Sequence, residues 1–203
     1  MKRMTLTGTL VAACILTAGC GQDRNRLFNG NSLEGWTCEP AGQVSHWKVL
    51  DGAILSGENA DEKPSILWTT ASYRDFELEL EYLALTDDYD SGVFLRGESH
   101  QVQIGISRSL QKDMTGCIYA PDDGQGAYPG STDKVAEFHH PGEWNHLKVI
   151  VQGKRVQTFL NGELFVDYEG STMQESGPLG LQLHGGVHMG IHFRNIILRE
   201  IAE

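Results

Sequence analysis

From residue 76 the chain reads Phe-Glu-Leu-Glu-Leu-Glu-Tyr-Leu, with apolar side chains at 76, 78, 80 and 82 and carboxylates at 77, 79 and 81. Successive side chains leave opposite faces of a pleated backbone, so this period of two fits a half-buried strand. Such a segment must pair with neighbours and cover its apolar face, which commits the chain to a sheet with a second layer over it. The same signal returns at 90–105. There Val93 and Leu95 alternate with Phe94 and Arg96, then Val102 and Ile104 alternate with Gln101 and Gln103, around a Gly-Glu-Ser-His turn. The predicted open face of this hairpin carries Arg96, Gln101 and Gln103. A fixed cation beside two amides suits the floor of a polar ligand cleft.

Residues 47–55 read as a hairpin on the Asp51-Gly52 turn, among the stronger short-range strand signals. Residues 65–70, 144–151, 155–160, 163–168, 180–184 and 192–200 read as further strands, with Asn161-Gly162 joining two of them. Between them, 107–141 has weak periodicity and Gly, Pro and Asp clusters, with 117–120 a strand inside it. A loop that long in a compact domain is usually functional or disordered. No helix longer than a turn or two is predicted. Ten or more short strands separated by turns imply an all-β, two-sheet antiparallel jelly-roll sandwich. Ligands in such folds often lie across one concave sheet.

The chain has 203 residues, enough for one domain with a sizeable core. Its start reads as a targeting segment: Lys2 and Arg3 precede a mostly apolar run over 4–16, short for a membrane span. Leu16-Thr-Ala-Gly-Cys20 resembles a bacterial lipoprotein box, whose cysteine is lipidated and becomes the mature N-terminus. The expected organisation is a signal peptide over 1–19, a tether over 20–26 and one domain over 27–203. Two or more acyl chains would hold the protein stably at the cell envelope. Loss of Lys2 and Arg3 takes the formal net charge from −11 to −13. So acidic a domain repels nucleic acid and anionic lipid surfaces, leaving the lipid anchor as the expected membrane contact and neutral sugars as the better-suited ligands. Cys38 and Cys117 remain in a compartment that permits one disulfide, and no C-x-x-C spacing occurs.

Gln182 and His184 share a strand face opposite Leu181 and Leu183, and a histidine so placed can shuttle protons near neutral pH. His188 and His192 follow, but the i, i+4, i+8 spacing converges only on a helix. Gly185-Gly186 and Gly190 argue instead for strands and turns. No metal site and no cofactor are expected, with a divalent metal left open. Glu77, Glu79 and Glu81 are similar to the E-x-D-x-E motif of sandwich-fold glucanases, whose outer acids are nucleophile and acid/base. A retaining pair stands about 5–5.5 Å apart, whereas unbent strand positions i and i+4 are about 13 Å apart. Glu81 lies nearest the centre of the functional stretch.

Several stretches occur together in a telling order: Leu27-Phe-Asn-Gly, Trp47-Lys-Val, Asp75-Phe-Glu-Leu, Ser91-Gly-Val-Phe-Leu-Arg-Gly97 and Val102-Gln-Ile104. Gly142-Glu-Trp-Asn145, Leu160-Asn-Gly162, Gly177-Pro-Leu-Gly-Leu-Gln-Leu-His-Gly185 and Phe193-Arg-Asn-Ile196 complete the set. Over roughly residues 27 to 201 this order resembles the 3-keto-disaccharide hydrolase domain family. The resemblance implies a concanavalin A-like jelly roll that cleaves glycosides oxidised to a ketone at sugar C3. The family-like positions are Glu81, Arg96, Gln103, Gln182, His184, Arg194 and Asn195. It offers Arg96 as donor to the ketone or enolate oxygen, and His184 or Glu81 as base. Gln103 and Gln182 would bind hydroxyls, with Gln101, Arg194 and Asn195 as further substrate-binding candidates; Arg194 and Asn195, being adjacent, are expected on opposite sides of their strand, which leaves one of them to a structural role. Relatives often carry Glu before the Val-Gln-Ile core and Asp shortly after it, where this chain has Gln101 and Ser107-Arg108. Three other functions remain open. One is a non-catalytic carbohydrate-binding module with Trp68 or Tyr89 as sugar platform, another a retaining glucanase using Glu77 and Glu81, and the last a structural surface lipoprotein.

Overall fold

The computed structural model describes residues 25–202, so the predicted signal segment, Cys20 and most of the tether lie outside the described residues. The strands are β1 (Trp36–Glu39), β2 (Trp47–Leu50), β3 (Ile54–Glu58), β4 (Ser65–Thr69), β5 (Phe76–Ala84), β6 (Asp90–Phe94) and β7 (Gln101–Ser107). They continue as β8 (Lys112–Asp113), β9 (Ile118–Tyr119), β10 (Asn145–Gln152), β11 (Arg155–Leu160), β12 (Glu163–Glu169), β13 (Gly180–Leu183) and β14 (Gly190–Glu200). One sheet runs β1-β4-β13-β6-β7-β8, with β9 also paired to β7, and the other runs β12-β11-β10-β5-β14-β3-β2. All pairings between these strands are antiparallel. The fold is the all-β sandwich of two antiparallel sheets that the alternation predicts.

β5 shows how the pattern becomes packing. Phe76, Leu78, Leu80, Tyr82 and Ala84 are buried between the sheets, while Glu77, Glu79 and Glu81 lie on the outer face. Val93, Val102, Ile104, Leu181 and Leu183 of the first sheet oppose Leu147, Val149, Val151 and Phe193 of the second in one continuous core. Burying each large apolar side chain contributes about 1.5–3 kcal/mol.

The stretch 107–141 is ordered despite its weak periodicity, because polar anchors rather than apolar alternation hold it. It contains β8, β9, a 3₁₀ turn at Pro121–Asp123 and one α-helical turn at Val135–Phe138. His139 Nδ1 meets Asp113 Oδ2 at 2.6 Å, and His139 Nε2 lies 3.1 Å from the Tyr89 hydroxyl. Asp123 binds the segment that follows β12, and Lys134 pairs with Glu163. Cys38 and Cys117 are both free, so the one bridge the sequence left open is not formed.

Candidate functional site

A cleft of about 320 Å³ opens on the outer face of the first sheet. Its floor follows from strand register. Gln182 of β13 lies across from Gly92 of β6, which lies across from Gln103 of β7. The next outward row runs Gly180, Phe94, Gln101 and Tyr119. At the other end Asp90 faces Gly105, and the His184 amide donates to the Asp90 carbonyl at 3.2 Å. The long loop supplies a wall in which Tyr119 and Tyr128 stand 5.3 Å apart, centroid to centroid. Arg108 and Ser109, just past the end of β7, close the polar end.

The amides of the floor are held in fixed orientations. Gln101 Nε2 donates to Gln182 Oε1 at 2.6 Å. Gln103 Nε2 donates to Asp90 Oδ1 at 2.8 Å, while its Oε1 accepts from the Tyr128 hydroxyl at 3.1 Å. Asp90 is acceptor-only, so it sets the direction of the Gln103 amide. Burial pushes the Tyr128 phenol well above its ordinary range and keeps it a neutral donor. Gly92 is required here, because a Cβ would stand 2.3 Å from Gln101 Nε2 and displace the amide that reaches Gln182. His184 Nδ1 lies 2.6 Å from the Gly185 carbonyl oxygen. A carbonyl only accepts, so Nδ1 carries the hydrogen and Nε2 is the lone-pair nitrogen of the neutral ring.

Of the residues expected at the site, the structure brings Gln101, Gln103, Gln182 and His184 into this cleft. Four others lie elsewhere. Arg96 is 2% exposed and donates to the Gly153 and Gln174 carbonyls and to Asp75 Oδ1, at 2.6, 3.0 and 2.8 Å. Alternation would have kept it on the open face. However, β6 ends at Phe94, and Arg96 adopts a left-handed φ of 58° that turns its side chain inward. Its role is to tie three loops together.

Glu81, Arg194 and Asn195 form a cluster on the outer face of the second sheet, remote from His184. Arg194 Nε and Asn195 Nδ2 donate to the two Glu81 oxygens at 2.7 and 2.8 Å, and the Arg194 guanidinium stacks 3.8 Å over Trp144. Partial burial pushes the Glu81 carboxyl up, but Asn195 and Arg194 outweigh it and hold the group below its ordinary range. Arg194 and Asn195 bear on the same carboxylate because the register slips between Arg194 and Ile197, with Asn195 at a φ of 52°. Such a bulge re-aims one side chain.

Glu77 pairs with Lys148 and Arg199, and Glu79 with Arg199 and His146. Neither Glu77 nor Glu81 lines the cleft, and β5 keeps continuous register with β10 from Phe76 to Tyr82. Glu77 and Glu81 are instead held in separate ion pairs, Glu77 with Lys148 and Arg199 and Glu81 with Arg194, away from the cleft, an arrangement that does not favour the glucanase reading. Tyr89 is 3% exposed and bonded to His139, so it offers no platform, whereas Trp68 stacks on Phe94 at 5.4 Å. Among the described residues, no three His, Cys, Asp or Glu side chains converge as a metal set.

The residues missed from sequence are Asp90, Phe94, Ser107, Arg108, Ser109, Tyr119 and Tyr128. Asp90 and Phe94 were within reach, since each stands an even step from Gly92 on one strand. The others sit at a strand end or in the aperiodic loop, where no alternation marks a face.

The family model described as the 3-keto-alpha-glucoside-1,2-lyase-like domain matches residues 23–199. A glycosyl hydrolase-like protein of Parabacteroides distasonis superposes with a TM-score of 0.64 at 24% identity, covering 87% of this chain and 98% of that one. A second from the same organism gives 0.61 at 20% identity, covering 87% and 93%. A carbohydrate-binding module of Bacillus subtilis gives 0.53 at 15% identity, covering 82% and 96%. At these identities the likeness establishes the fold. No curated protein matches the chain.

Proposed function

We propose, for a chain that belongs to the 3-keto-alpha-glucoside-1,2-lyase-like family, that the cleft over β6, β7 and β13 cleaves glycosides already oxidised at C3. A C3 ketone acidifies the hydrogen on C2, so a base can remove it. His184 Nε2 takes that proton, and the C2–H electrons form an enolate on the C3 oxygen. The enolate collapses back to the ketone, C1=C2 forms, and the C1–O bond breaks. The leaving oxygen recovers a proton from the imidazolium. The products are a 2-hydroxy-3-keto-glycal and the free aglycone, and water adding across C1=C2 completes net hydrolysis. Gln101, Gln103 and Gln182 hold ring hydroxyls while this happens, since oriented amides offer both donors and acceptors.

The observation that carries the proposal is the Nδ1 contact of His184 with the Gly185 carbonyl. It leaves a proton-accepting nitrogen on a side chain that lines a floor of three amides. The test is incubation of purified protein with 4-nitrophenyl 3-keto-glucoside and with its unoxidised counterpart. Release of nitrophenol from the oxidised glycoside alone is the expected result. Equal release from both, or none above buffer, would contradict it. A lipid anchor at Cys20 would place this activity at the cell envelope.

A second reading, sugar binding without turnover, is favoured by the partly exposed Tyr119–Tyr128 pair at the cleft. Aromatic faces of this kind stack on sugar rings. It requires glycan binding that survives His184→Ala, with no cleavage by the wild type.

A further inference from the structure

The enolate needs a fixed positive donor, and Arg96 is committed elsewhere. Among the described residues lining the cleft, Arg108 is the only one with a permanent charge. Resting on the lyase reading above, we propose that Arg108 holds the C3 ketone oxygen and the enolate that forms on it, with Asp88 and Asp90 fixing the guanidinium in place.

Arg108 Nη1 and Nη2 donate to the two Asp88 oxygens at 3.2 and 2.5 Å. Its Nε lies 3.4 Å from Asp90 Oδ2, an ion-pair contact without a hydrogen bond, and its backbone amide donates to the same oxygen at 3.3 Å. A guanidinium has five N–H bonds. Asp88 takes two, which leaves donors for a ligand on a side chain that is 27% exposed. Asp90, 4% exposed, is itself oriented by Gln103, and Gln103 by Tyr128. The cation therefore ends a chain of oriented groups, Tyr128 to Gln103 to Asp90 to Arg108. A donor held in this way loses little to reorganisation as charge develops on the oxygen.

Position agrees with the chemistry. Asp90 stands between the base and the cation: its carbonyl accepts from the His184 amide, and its carboxylate meets Arg108. His184 and Arg108 both line the cleft and both contact Asp90, His184 through its backbone amide, while Gln103 and Gln182 lie one side-chain row further along. A ring lying over Gly92 can point C2 at His184 and its C3 oxygen at Arg108, with the remaining hydroxyls on the amides.

The experiment measures kcat and KM on 4-nitrophenyl 3-keto-glucoside, and binding of the unoxidised glucoside, for the wild type, Arg108→Ala and Arg108→Lys. Arg108→Ala is expected to lower kcat about 10²–10³-fold, the range for loss of one oxyanion donor. Affinity for the unoxidised glucoside should stay within about threefold, because no ketone is there to be gripped. Arg108→Lys should recover only part of the rate, and added guanidinium ion should partly restore Arg108→Ala. Unchanged melting temperatures exclude misfolding as the cause. Wild-type kcat in Arg108→Ala would overturn the proposal, as would equal losses of oxidised and unoxidised ligand. If the wild type binds the ketosugar without cleaving it, the lyase reading fails. The Arg108 assignment is then judged by binding alone: a roughly tenfold preference for ketone over hydroxyl, lost in Arg108→Ala, supports it, and no such preference overturns it.

Discussion

His184→Ala is expected to lower kcat on a 3-keto-glucoside by about 10²–10⁴-fold, the usual contribution of a positioned general base. KM should change little, because the hydroxyl contacts are proposed for Gln101, Gln103 and Gln182, which line other parts of the cleft floor. The Gly185 carbonyl fixes the ring's tautomer, so His184→Gln is not expected to rescue: an amide placed there cannot take a proton from carbon. The same loss should appear in washout of the C2 hydrogen into deuterium oxide, followed by NMR before any aglycone leaves. Washout that persists in His184→Ala would move the base to another residue. His184 is half-buried at the end of β13 and packs no core, so circular dichroism of the variant should match the wild type.

The second large effect concerns stability. Asp123 is 6% exposed and accepts from Ser171 N, Ser171 Oγ, Thr172 N and Thr172 Oγ1 at 2.7, 2.6, 2.8 and 3.0 Å, and also from the Tyr168 hydroxyl. It lies between Tyr119 and Tyr128 in sequence, so it pins the loop that forms the cleft wall onto β12 and the segment beyond it. Asp123→Ala takes the shared acceptor from the buried Tyr168 hydroxyl and from the more exposed donors of Ser171 and Thr172. It should destabilise the fold by roughly 1.5–3 kcal/mol, the scale for hydrogen bonds to a charged group.

Burial alone would push this carboxyl up, but the donors of Ser171, Tyr168 and Thr172 pull it well below the usual carboxylate range. A depressed folded-state pKa contributes stability that is fully present above the unfolded value, about 3.9, and is lost as pH falls through the folded value. The gap in urea midpoint between wild type and Asp123→Ala should therefore be constant from pH 7 to 5 and narrow below about 4. A gap that is small at pH 7, or that widens on acidification, would show that Asp123 carries no such load.

What the sequence disclosed and what it hid divide along one physical line. Where a strand has a buried face, period two names the face of every residue. β5, Gln101 with Gln103, and Gln182 with His184 were placed in this way. The pattern fails where backbone geometry leaves the pleat. Arg96 lies two residues past the end of β6 in a left-handed conformation, and Asn195 sits at a bulge, so counting by twos sent both to the wrong place. Assigning Glu81 to the cleft failed for another reason. Periodicity gives the face of a strand and not the sheet to which the strand belongs, and β5 pairs with β10 and β14 rather than with β6. The wall residues Arg108, Tyr119 and Tyr128 follow polar anchors such as Asp90 and Asp123, which make contacts far along the chain and leave no local repeat.

Titration of ¹⁵N-labelled protein with the unreactive, unoxidised glucoside tests most directly whether this cleft is where the sugar lands. Backbone and side-chain amide shifts are expected at Gly92, Gln101, Gln103 and Gln182, with Glu81, Arg194 and Asn195 unmoved. Shifts confined to the Glu81–Arg194–Asn195 face, with the glutamine floor silent, would contradict the site and every role assigned to it.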